Sequence, residues 1–436
     1  MAKVFHAEIY GLRETKYDWL NKHNFKNVKW QKVAPYPEFY LFIPTDNKLA
    51  SHYYSFYKIT EIFPINSVGI VTARDNFVID FDRKKLERRI EDFRSSKIED
   101  EIIKQTYDLN ENQGWKIKEQ REKIRKDLDW KDSITQILYR PFDIRWILYH
   151  DEMIERTRRD VMENMDENIG LIARRQMLPN KPMNYFFVSD KIIADGVIRS
   201  DNKGGESLFP LYIYIKSTGK KKARLTQLLM FEPDEAYQAI LPNIPKNLIT
   251  TLVQNYKRLF LNPLDEKEKN GFGSKEIFYY IYAVLYSNVY RNKYAEFLKI
   301  DFPRIPFTKD YKLFIQLGKL GKQLADLHLL KSKELDKTFS KFLINGSNKV
   351  EKPKYETEKV WINKEQYFDG IKEGVWKYQI GGYQVCEKWL KDRKERTLTT
   401  DEIKTYCKIV TALSKTIEIQ KQIDELYTIM EDKKSK

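Results

Sequence analysis

The sequence predicts an α+β protein in which a mixed α/β segment and a β-rich region precede a mainly helical carboxyl-terminal region. Short β-branched and aromatic runs alternate with turn residues between residues 38 and 81 and again between 168 and 215. Apolar residues recur at helical spacing from about residue 226 onward. The 436 residues are 42% hydrophobic and 32% charged, as expected for a folded protein of two or three domains.

The first predicted domain, residues 1–95, is a mixed α/β segment. A short helix is expected over 14–20. A charged helix from Arg83 to about Lys104 carries apolar residues at helical spacing. Strands are predicted where β-branched and aromatic residues are frequent, at 38–44 (EFYLFIP), 67–73 (SVGIVTA) and 76–81 (NFVIDF).

The second predicted domain, residues 96–225, begins with a polar helical stretch over 105–135 and continues with a β-rich part. Pro141 ends any preceding helix, and a helical turn is expected over 160–165. Four short strands are then predicted between 168 and 215, separated by turn residues: NIGLIARRQM, NYFFVSD, KIIADGVIRS and SLFPLYIYI.

The third predicted domain, residues 226–436, is mainly helical with a small β insertion over 359–385. Helices are predicted in three apolar-striped stretches, behind Pro245, over 276–300 and over 313–330. The last helix is predicted to start at Thr399, because Thr399 and Glu402 have the spacing of a capping box.

A stretch from Leu138 to Gln176 holds seven arginines and no lysine, although lysine outnumbers arginine several-fold elsewhere. The arginine fork can grip a phosphate or a guanine edge at two points, which a lysine cannot do. The alternative is that single arginines pair with nearby carboxylates on a solvated surface. The seven are Arg140, Arg145, Arg156, Arg158, Arg159, Arg174 and Arg175.

In the first predicted strand of the β-rich part, alternation places Arg174 and Gln176 on one face and Arg175 on the other. Arginine and glutamine suit guanine and adenine edges in the major groove. The alternative is a surface strand that carries polar residues. The turn over 200–205 joins Lys203 to two glycines, which suits a close approach to phosphate, and its alternative is a plain hairpin turn.

The charge of the chain indicates a polyanionic partner. A net charge of +15 and a pI of 9.3 favour nucleic acid over membrane, although charge alone carries no sequence specificity.

The start, MAKVFHAEIYG, lacks a signal-peptide core, and the longest apolar run is about half a membrane span. Two isolated cysteines and five scattered histidines form no ligand pattern. We expect a cytoplasmic protein with no membrane partner.

Catalytic motifs are missing from this sequence. It has no Asn/Asp-Pro-Pro-Tyr/Phe motif of adenine methyltransferases, no Gly-rich adenosylmethionine loop, no Walker loop and no nucleophile elbow. Asp80 and Asp82 form a carboxylate pair, but no Glu-x-Lys partner completes a nuclease site. We therefore assign no catalytic, cofactor-binding or metal-binding residue.

Several stretches, in order along nearly the whole chain, resemble the carboxyl-terminal half of single-chain restriction–modification polypeptides of the type ISP and type IIG group. These stretches are AEIYGLRETKYDWL (7–20), FPINSVGIVTARDNFVIDF (63–81), LYRPFDIRWILYHDEMIERTRRDVMENM (138–165), YAEFLKIDFPRIPF (294–307), LGKLGKQLADLHLL (317–330) and VWKYQIGGYQVCEKWLKDRKERTL (375–398). The resemblance implies a target-recognition module for double-stranded DNA.

The resemblance also implies an adenine N6-methyltransferase domain that binds S-adenosylmethionine and precedes the module. Residues 1–95 then lead out of this missing domain. The methyltransferase domain is expected on the same parent polypeptide or on a partner subunit, and a linked endonuclease on the parent is left open. No cofactor is expected in this chain itself.

On this interpretation, Arg140, Arg145, Arg156, Arg158 and Arg159 contact the DNA backbone. Base contacts are assigned first to Arg174, Arg175 and Gln176 and second to Asn184, Arg199 and Asn202, while Lys203 supplies charge for a phosphate contact. Two alternatives stay open: a stand-alone Mg²⁺-dependent nuclease built on Asp80 and Asp82, and an RNA-binding or assembly protein, since arginines among aromatics can also stack single-stranded bases.

Overall fold

The computed structural model describes residues 3–44, 46–178, 183–201, 205–214, 240–261 and 270–434. It divides into two compact units, Met1–Tyr57 and Lys58–Lys436. Helices and small sheets occur together in it, so the predicted α+β fold class is confirmed.

The first unit contains an antiparallel strand pair and two helices. The elements are β1 (Val4–His6), α1 (Arg13–Lys22), β2 (Gln31–Val33) and α2 (Asn47–Tyr54). The side chain of Asp46 caps α2 by accepting the backbone N–H groups of Lys48 (2.9 Å) and Leu49 (3.0 Å). The short helix expected over 14–20 is confirmed as α1.

The strand predicted over 38–44 is wrong, because this stretch consists of turns and bends. Tyr40 has a φ of 49°, a left-handed conformation that interrupts an extended strand. The two-residue strand β3 (Tyr57–Lys58) lies at the boundary of the two units.

The second unit contains two four-stranded sheets. The first sheet has the order β10-β6-β7-β5, in which β10 runs parallel to β6 and the other pairs are antiparallel. Its strands are β5 (Ile79–Asp80), β6 (Ile134–Arg140), β7 (Asp143–Leu148) and β10 (Ile192–Ile193). A tight turn with Phe142 at φ 62° joins β6 to β7, so Arg140 lies opposite Asp143.

The second sheet is antiparallel throughout and has the order β4-β11-β8-β9. Its strands are β4 (Ser67–Val68), β8 (Gly170–Arg174), β9 (Phe186–Ser189) and β11 (Glu206–Pro210). Every residue of β8, β9 and β11 is buried, so this sheet forms part of the core. Because β8 ends at Arg174, the strand alternation expected through Gln176 is wrong, and Arg175 and Gln176 lie beyond the strand.

Short helices connect these strands. They are α3 (Ile59–Ile62), α4 (Asp75–Val78), α5 (Arg83–Arg94), α6 (Asp100–Thr106), α7 (Ile117–Lys126) and α8 (Arg159–Met162). The strand predicted over 76–81 is confirmed only in part: its first three residues belong to α4, and the observed strand is β5, Ile79–Asp80. The helix predicted from Arg83 to Lys104 divides into α5 and α6, since Ser95 leaves the helical conformation with ψ 126°.

The remaining helices are α9 (Lys246–Tyr256), α10 (Ser274–Tyr286), α11 (Asn288–Lys293), α12 (Ala295–Leu298), α13 (Tyr311–His328), α14 (Glu373–Trp376), α15 (Val385–Lys391) and α16 (Thr400–Lys434). The predicted capping box of α16 is confirmed: Thr399 Oγ1 accepts the backbone N–H of Glu402 (3.2 Å), whose carboxylate accepts the backbone N–H of Thr399 (3.0 Å).

The second unit also contains several small sheets of two or three strands. They are formed by β12 (Tyr212–Tyr214) with β13 (Ile240–Pro242), β14 (Leu259–Leu261) with β15 (Gly271–Gly273), β17 (Lys354–Glu356) with β18 (Lys359–Trp361) and β19 (Tyr367–Phe368), and β20 (Gln379–Ile380) with β21 (Tyr383–Gln384). A further strand is β16 (Arg304–Ile305), and 3₁₀ helices span Trp130–Ser133, Glu163–Met165 and Lys333–Asp336. No helix of the described part combines the length and apolar character needed to cross a bilayer.

Candidate nucleic-acid interface

Arg174, Asn184 and Arg199 meet at one end of the second sheet, where β8 ends and the chain leads into β9 and β11. We call these three residues the strand-end cluster. Arg174 Nη2 pairs with Asp201 Oδ2 at 2.9 Å, and Arg199 Nη1 donates to the Asp201 carbonyl oxygen at 2.8 Å. Arg199 also pairs with the carboxylates of Asp195 and Glu206. Asp201 therefore links the two guanidinium groups.

The strand-end cluster is inside the protein. The side chain of Arg174 is 2% exposed and that of Arg199 10%. Burial lowers the pKa of Arg199, but the carboxylates of Asp195 and Glu206 outweigh it, so the net pKa is raised. Burial raises the pKa of Glu206 in spite of Arg199. These contacts hold the two arginines in place, and their direct contact with DNA stays a prediction.

Asn184 is buried and connects the cluster to a distant part of the chain. Its Nδ2 donates to the Gln379 carbonyl oxygen at 3.1 Å, and its backbone carbonyl accepts the N–H of Gly381 at 2.7 Å. Arg291, also buried, lies 3.5 Å from its side-chain oxygen. The predicted DNA contact of Asn184 is likewise untested by this arrangement.

Arg175 and Gln176 continue from the strand-end cluster but face solvent. Arg175 is 60% exposed on its side chain, and its Nε pairs with Asp301 Oδ1 at 2.9 Å. Gln176 Nε2 donates to the Ile300 carbonyl oxygen at 3.2 Å. Burial opposes ionisation of Asp301, but hydrogen bonds from Lys58, the Phe302 backbone and Arg175 lower its pKa. Arg175 makes no second hydrogen bond within the described residues, so its Nη groups can bind a ligand.

The guanidinium groups of Arg140 and Arg145 both lie over the Tyr139 ring, 4.3 and 3.9 Å from its centre. Arg145 also donates to Asp143 Oδ2 through Nε (3.0 Å) and Nη2 (2.7 Å). Arg393 donates to the other oxygen of Asp143 at 2.9 Å. Burial opposes ionisation of Asp143, but Arg393 and Arg145 outweigh it and lower its pKa. Arg145 is thus part of a buried ion network.

Arg156, Arg158 and Arg159 lie in the approach to α8, where the Arg156 backbone pairs with that of Val71. Arg159 pairs with Asp151 (2.6 Å) and Glu163 (3.2 Å). Arg158 adopts a left-handed conformation with φ 57°. Arg156 is exposed, and its guanidinium makes no hydrogen bond or ion pair with any residue that the structure describes. Asn202 and Lys203 lie outside the described residues.

The structure therefore divides the predicted DNA-binding residues. Arg174, Arg175, Gln176, Asn184 and Arg199 surround one sheet end, and Arg140 approaches them through Tyr383, whose ring centre lies 5.3 Å from its guanidinium. Arg156, Arg158 and Arg159 lie before and at the start of α8. Sequence reasoning missed Tyr383, Asp301 and Arg393, because only the fold brings them near. The glycine pair Gly381-Gly382 in the sequence indicates a turn beside Tyr383, but it does not indicate which residues the turn packs against.

The carboxylates of the nuclease alternative have other partners. Asp80 pairs with Arg89, and its Oδ1 accepts the N–H of Asp82 at 2.9 Å. Asp82 caps α5 by accepting the N–H groups of Lys84 (2.8 Å) and Lys85 (3.3 Å). Within the described ranges, no group of three His, Cys, Asp or Glu side chains could hold a metal ion.

Comparisons with known proteins agree with the predicted resemblance. The family model of the Type ISP C-terminal specificity domain matches residues 61–422. Three solved structures are similar to this chain, each at 18% sequence identity. A nuclease-deletion mutant of the Type ISP restriction-modification enzyme LlaGI with a DNA substrate mimic has a TM-score of 0.61, and the match covers 96% of this chain and 33% of that one. The ATP-dependent Type ISP restriction-modification enzyme LlaBIII bound to DNA has a TM-score of 0.62, with 90% and 25% covered, and a DrdV–DNA complex has a TM-score of 0.67, with 97% and 43% covered.

The chain spans less than half of the length of each of these proteins. No curated protein matches it. The family model, however, covers most of the polypeptide from the second unit's first helix to the middle of α16. This chain belongs to the Type ISP C-terminal specificity domain family.

Proposed function

We propose that this chain recognises a specific sequence in double-stranded DNA, as the target-recognition part of a restriction–modification enzyme. The observation that carries the proposal is the match to a specificity domain over residues 61–422. The similar LlaGI, LlaBIII and DrdV structures were each determined with DNA or a DNA mimic, which supports the same kind of ligand here. The net charge of +15 favours a polyanion.

The proposed DNA-contacting side chains differ in their solvent exposure, and we assign their roles accordingly. Arg175 and Gln176 carry free or solvent-facing donors beside the sheet end and are the best candidates for base contacts. Arg156 has an unengaged guanidinium among the described residues and suits a phosphate. Arg140, Arg145, Arg158 and Arg159 contribute to backbone positioning in this proposal, with Arg145 acting mainly through the ion network that shapes the surface.

The proposal extends to the rest of the parent polypeptide. The longer similar proteins support a further part that acts on the DNA, and we place an adenine N6-methyltransferase domain with bound S-adenosylmethionine there. That domain, or a subunit that carries it, is the proposed protein partner of this chain. Transfer of a labelled methyl group to adenine by the parent polypeptide tests this extension, and transfer to cytosine would overturn it.

Selection from a randomised duplex pool at physiological salt tests DNA recognition directly. The chain is expected to enrich one short sequence, and then to bind that duplex more tightly than a scrambled duplex of the same composition. Specific sites are bound at least about a thousandfold more tightly than non-specific ones. Equal affinity for both duplexes, or stronger binding to single-stranded RNA in competition, would overturn the proposal.

A further inference from the structure

The hairpin formed by β20 and β21 lies against the strand-end cluster. The N–H of Gly381 donates to the Asn184 carbonyl oxygen at 2.7 Å, and that of Gly382 to the Ile198 carbonyl oxygen at 2.9 Å. Gly381 has a φ of 60°, which favours glycine at this turn. The hairpin is thus hydrogen-bonded to two segments of the second sheet's end, although it lies far from both in sequence.

The approach leaves no room for side chains at the turn. A Cβ on Gly381 would overlap the Ile198 carbonyl oxygen, and a Cβ on Gly382 would overlap Ser200 Oγ. Both overlaps are closer than real Cβ atoms tolerate, and the first involves backbone, which cannot move aside cheaply. The two glycines therefore let the hairpin backbone dock on the backbone of residues 198–200.

Tyr383 adds a side-chain contact to this docking. Its hydroxyl lies 2.5 Å from the Arg199 carbonyl oxygen and 3.1 Å from that of Gly196, so it donates to the two ends of a tight turn. Burial raises the pKa of Tyr383, so the hydroxyl keeps its proton. The same ring receives the guanidinium of Arg140 at 5.3 Å.

A continuous series of contacts leads from Tyr383 to the exposed residues. Its hydroxyl binds the Arg199 carbonyl, the Arg199 side chain binds Asp201, and Asp201 binds Arg174. Arg175 and Gln176 follow Arg174 directly. Base contacts need their side chains held to within about 0.5 Å of the productive position, so an anchor of this kind bears on which base is preferred.

We propose that the hairpin over Gln379–Gln384, through Tyr383 and the two glycines, is a positioning element that sets the DNA sequence preference of the sheet end. This inference rests on the proposed function. Tyr383, Gly381 and Gly382 are positioning residues in it, since they act on Arg199 and Asn184 and not on DNA.

The test is Tyr383→Phe, which removes one hydroxyl and keeps the ring against Arg140. Tyr311→Phe is the matched control, because the Tyr311 hydroxyl also donates to a backbone carbonyl, that of Gly271 in β15, at 3.0 Å. We expect Tyr383→Phe to lower the ratio of affinities for the selected and scrambled duplexes by about five- to tenfold, in line with one lost hydrogen bond. Affinity for the scrambled duplex and the melting temperature should match those of Tyr311→Phe.

Two results would overturn the positioning role: an unchanged affinity ratio in Tyr383→Phe, or an equal loss for both duplexes. Gly382→Ala is expected to lower the ratio further, because it displaces residues 198–200. If the unmodified chain itself does not discriminate between the duplexes, the proposed function fails. If it discriminates and Tyr383→Phe does so equally well, only the positioning role fails.

Discussion

An arginine can contact DNA only with donors that its own protein leaves free. In this chain the guanidinium groups of Arg145, Arg174 and Arg199 are buried and bonded to carboxylates, whereas those of Arg156 and Arg175 reach solvent. Adjacent arginines in the sequence therefore have different roles. Arg174 holds the sheet end together, and its neighbour Arg175 points outward with unused donors.

Arg156→Ala should weaken binding to every duplex alike, because a phosphate contact carries no sequence information. The slope of log affinity against log salt is expected to become shallower by about 1. Arg258→Ala is the matched control, since Arg258 is also exposed but lies in the helical region. Equal effects of the two substitutions would mean that only the total charge matters.

Arg175→Ala should instead change which sequence is preferred. A lost bidentate base contact costs about 1–3 kcal/mol at one position of the site. A repeated selection from the randomised pool should therefore show relaxed preference at that position, with binding to scrambled duplexes little changed. Gln176→Ala should relax an adjacent position. An identical selected sequence for Arg175→Ala would show that Arg175 does not contact a base.

His328 makes the stability of the chain depend on pH. It is fully buried between Tyr282 Oη (2.6 Å) and Thr416 Oγ1 (2.9 Å), and burial lowers its pKa to about 3. The folded state therefore keeps His328 neutral, while the unfolded chain binds a proton below its ordinary pKa of about 6.5. Stability is present above that value and is lost as the pH falls toward about 3.

We expect the free energy of unfolding to fall by about 2 kcal/mol from this residue between about pH 7.5 and about pH 5. Urea unfolding at both pH values measures it. In His328→Gln this part of the loss should disappear, even if the variant is less stable at both pH values. An equal loss in the two proteins would contradict the burial of a neutral imidazole.

The residue types in the sequence predicted which arginines are candidate DNA contacts, but not how buried each side chain is or which groups it binds. The lysine-free stretch identified Arg175 and Arg156, and also Arg145, which shares Asp143 with Arg393, and Arg393 lies 250 residues after Asp143 in sequence. Local sequence carries no signal for such a pair. Exposure and long-range partners depend on the fold, so sequence reasoning could propose arginines for the site but could not separate the free ones from the engaged ones.

At the scale of elements, α13 crosses α10 closely at Gly321, one turn after a second glycine, Gly318. A Cβ on Gly321 would overlap the Tyr279 carbonyl oxygen in α10. A Cβ on Gly318 would lie 3.5 Å from the Glu276 carbonyl oxygen, an ordinary contact. The two glycines, one turn apart on the same helix, therefore differ in what they permit.

Gly321→Ala should destabilise the chain by about 1–3 kcal/mol, because the helices must separate to admit the methyl group. Gly318→Ala is the matched control and should be neutral or stabilising by up to about 1 kcal/mol, since alanine favours a helix. Chemical unfolding of both variants measures the difference. Equal destabilisation would show that the crossing is not limited by Gly321.

Elements with strong periodicity or a clear cap were predicted well, and each of the four runs predicted between 168 and 215 contains a strand, whereas two earlier extended runs were predicted wrongly in whole or in part. The apolar stripes gave α9, α10 and α13, and the capping box gave the start of α16. The runs over 38–44 and 76–81 have the composition of strands, but a left-handed residue and a helical turn interrupt them. Amino-acid composition does not indicate such backbone conformations, because packing against neighbouring segments determines them.

At the scale of the whole molecule, contacts cross the boundary predicted at residues 225 and 226. Arg393 binds Asp143, Asn184 binds Gln379, and the Tyr286 hydroxyl donates to the Phe186 carbonyl oxygen at 3.0 Å. The three-domain division stays a prediction, but the sheets and the helical region share buried polar contacts. The compact units instead separate at Tyr57 and Lys58.

The net charge of +15 predicts a steep dependence of DNA binding on salt. Between about 50 mM and about 200 mM salt, affinity for any duplex should fall by at least about a hundredfold, because phosphate contacts release counterions. Binding measured at several salt concentrations gives the slope, and the ratio between selected and scrambled duplexes should change much less. A flat salt dependence would exclude extensive phosphate contact.

The bond between Asp143 and Arg393 has a consequence for synthesis. The ribosome must add 250 residues after Asp143 before this second partner exists. Until then, Asp143 has Arg145 as its guanidinium partner, and the segment that carries Arg393 is not yet present to pack on this part of the sheet. A chain shortened before Arg393 is therefore expected to be caught by chaperones or degraded, even though both sheets are complete in its sequence.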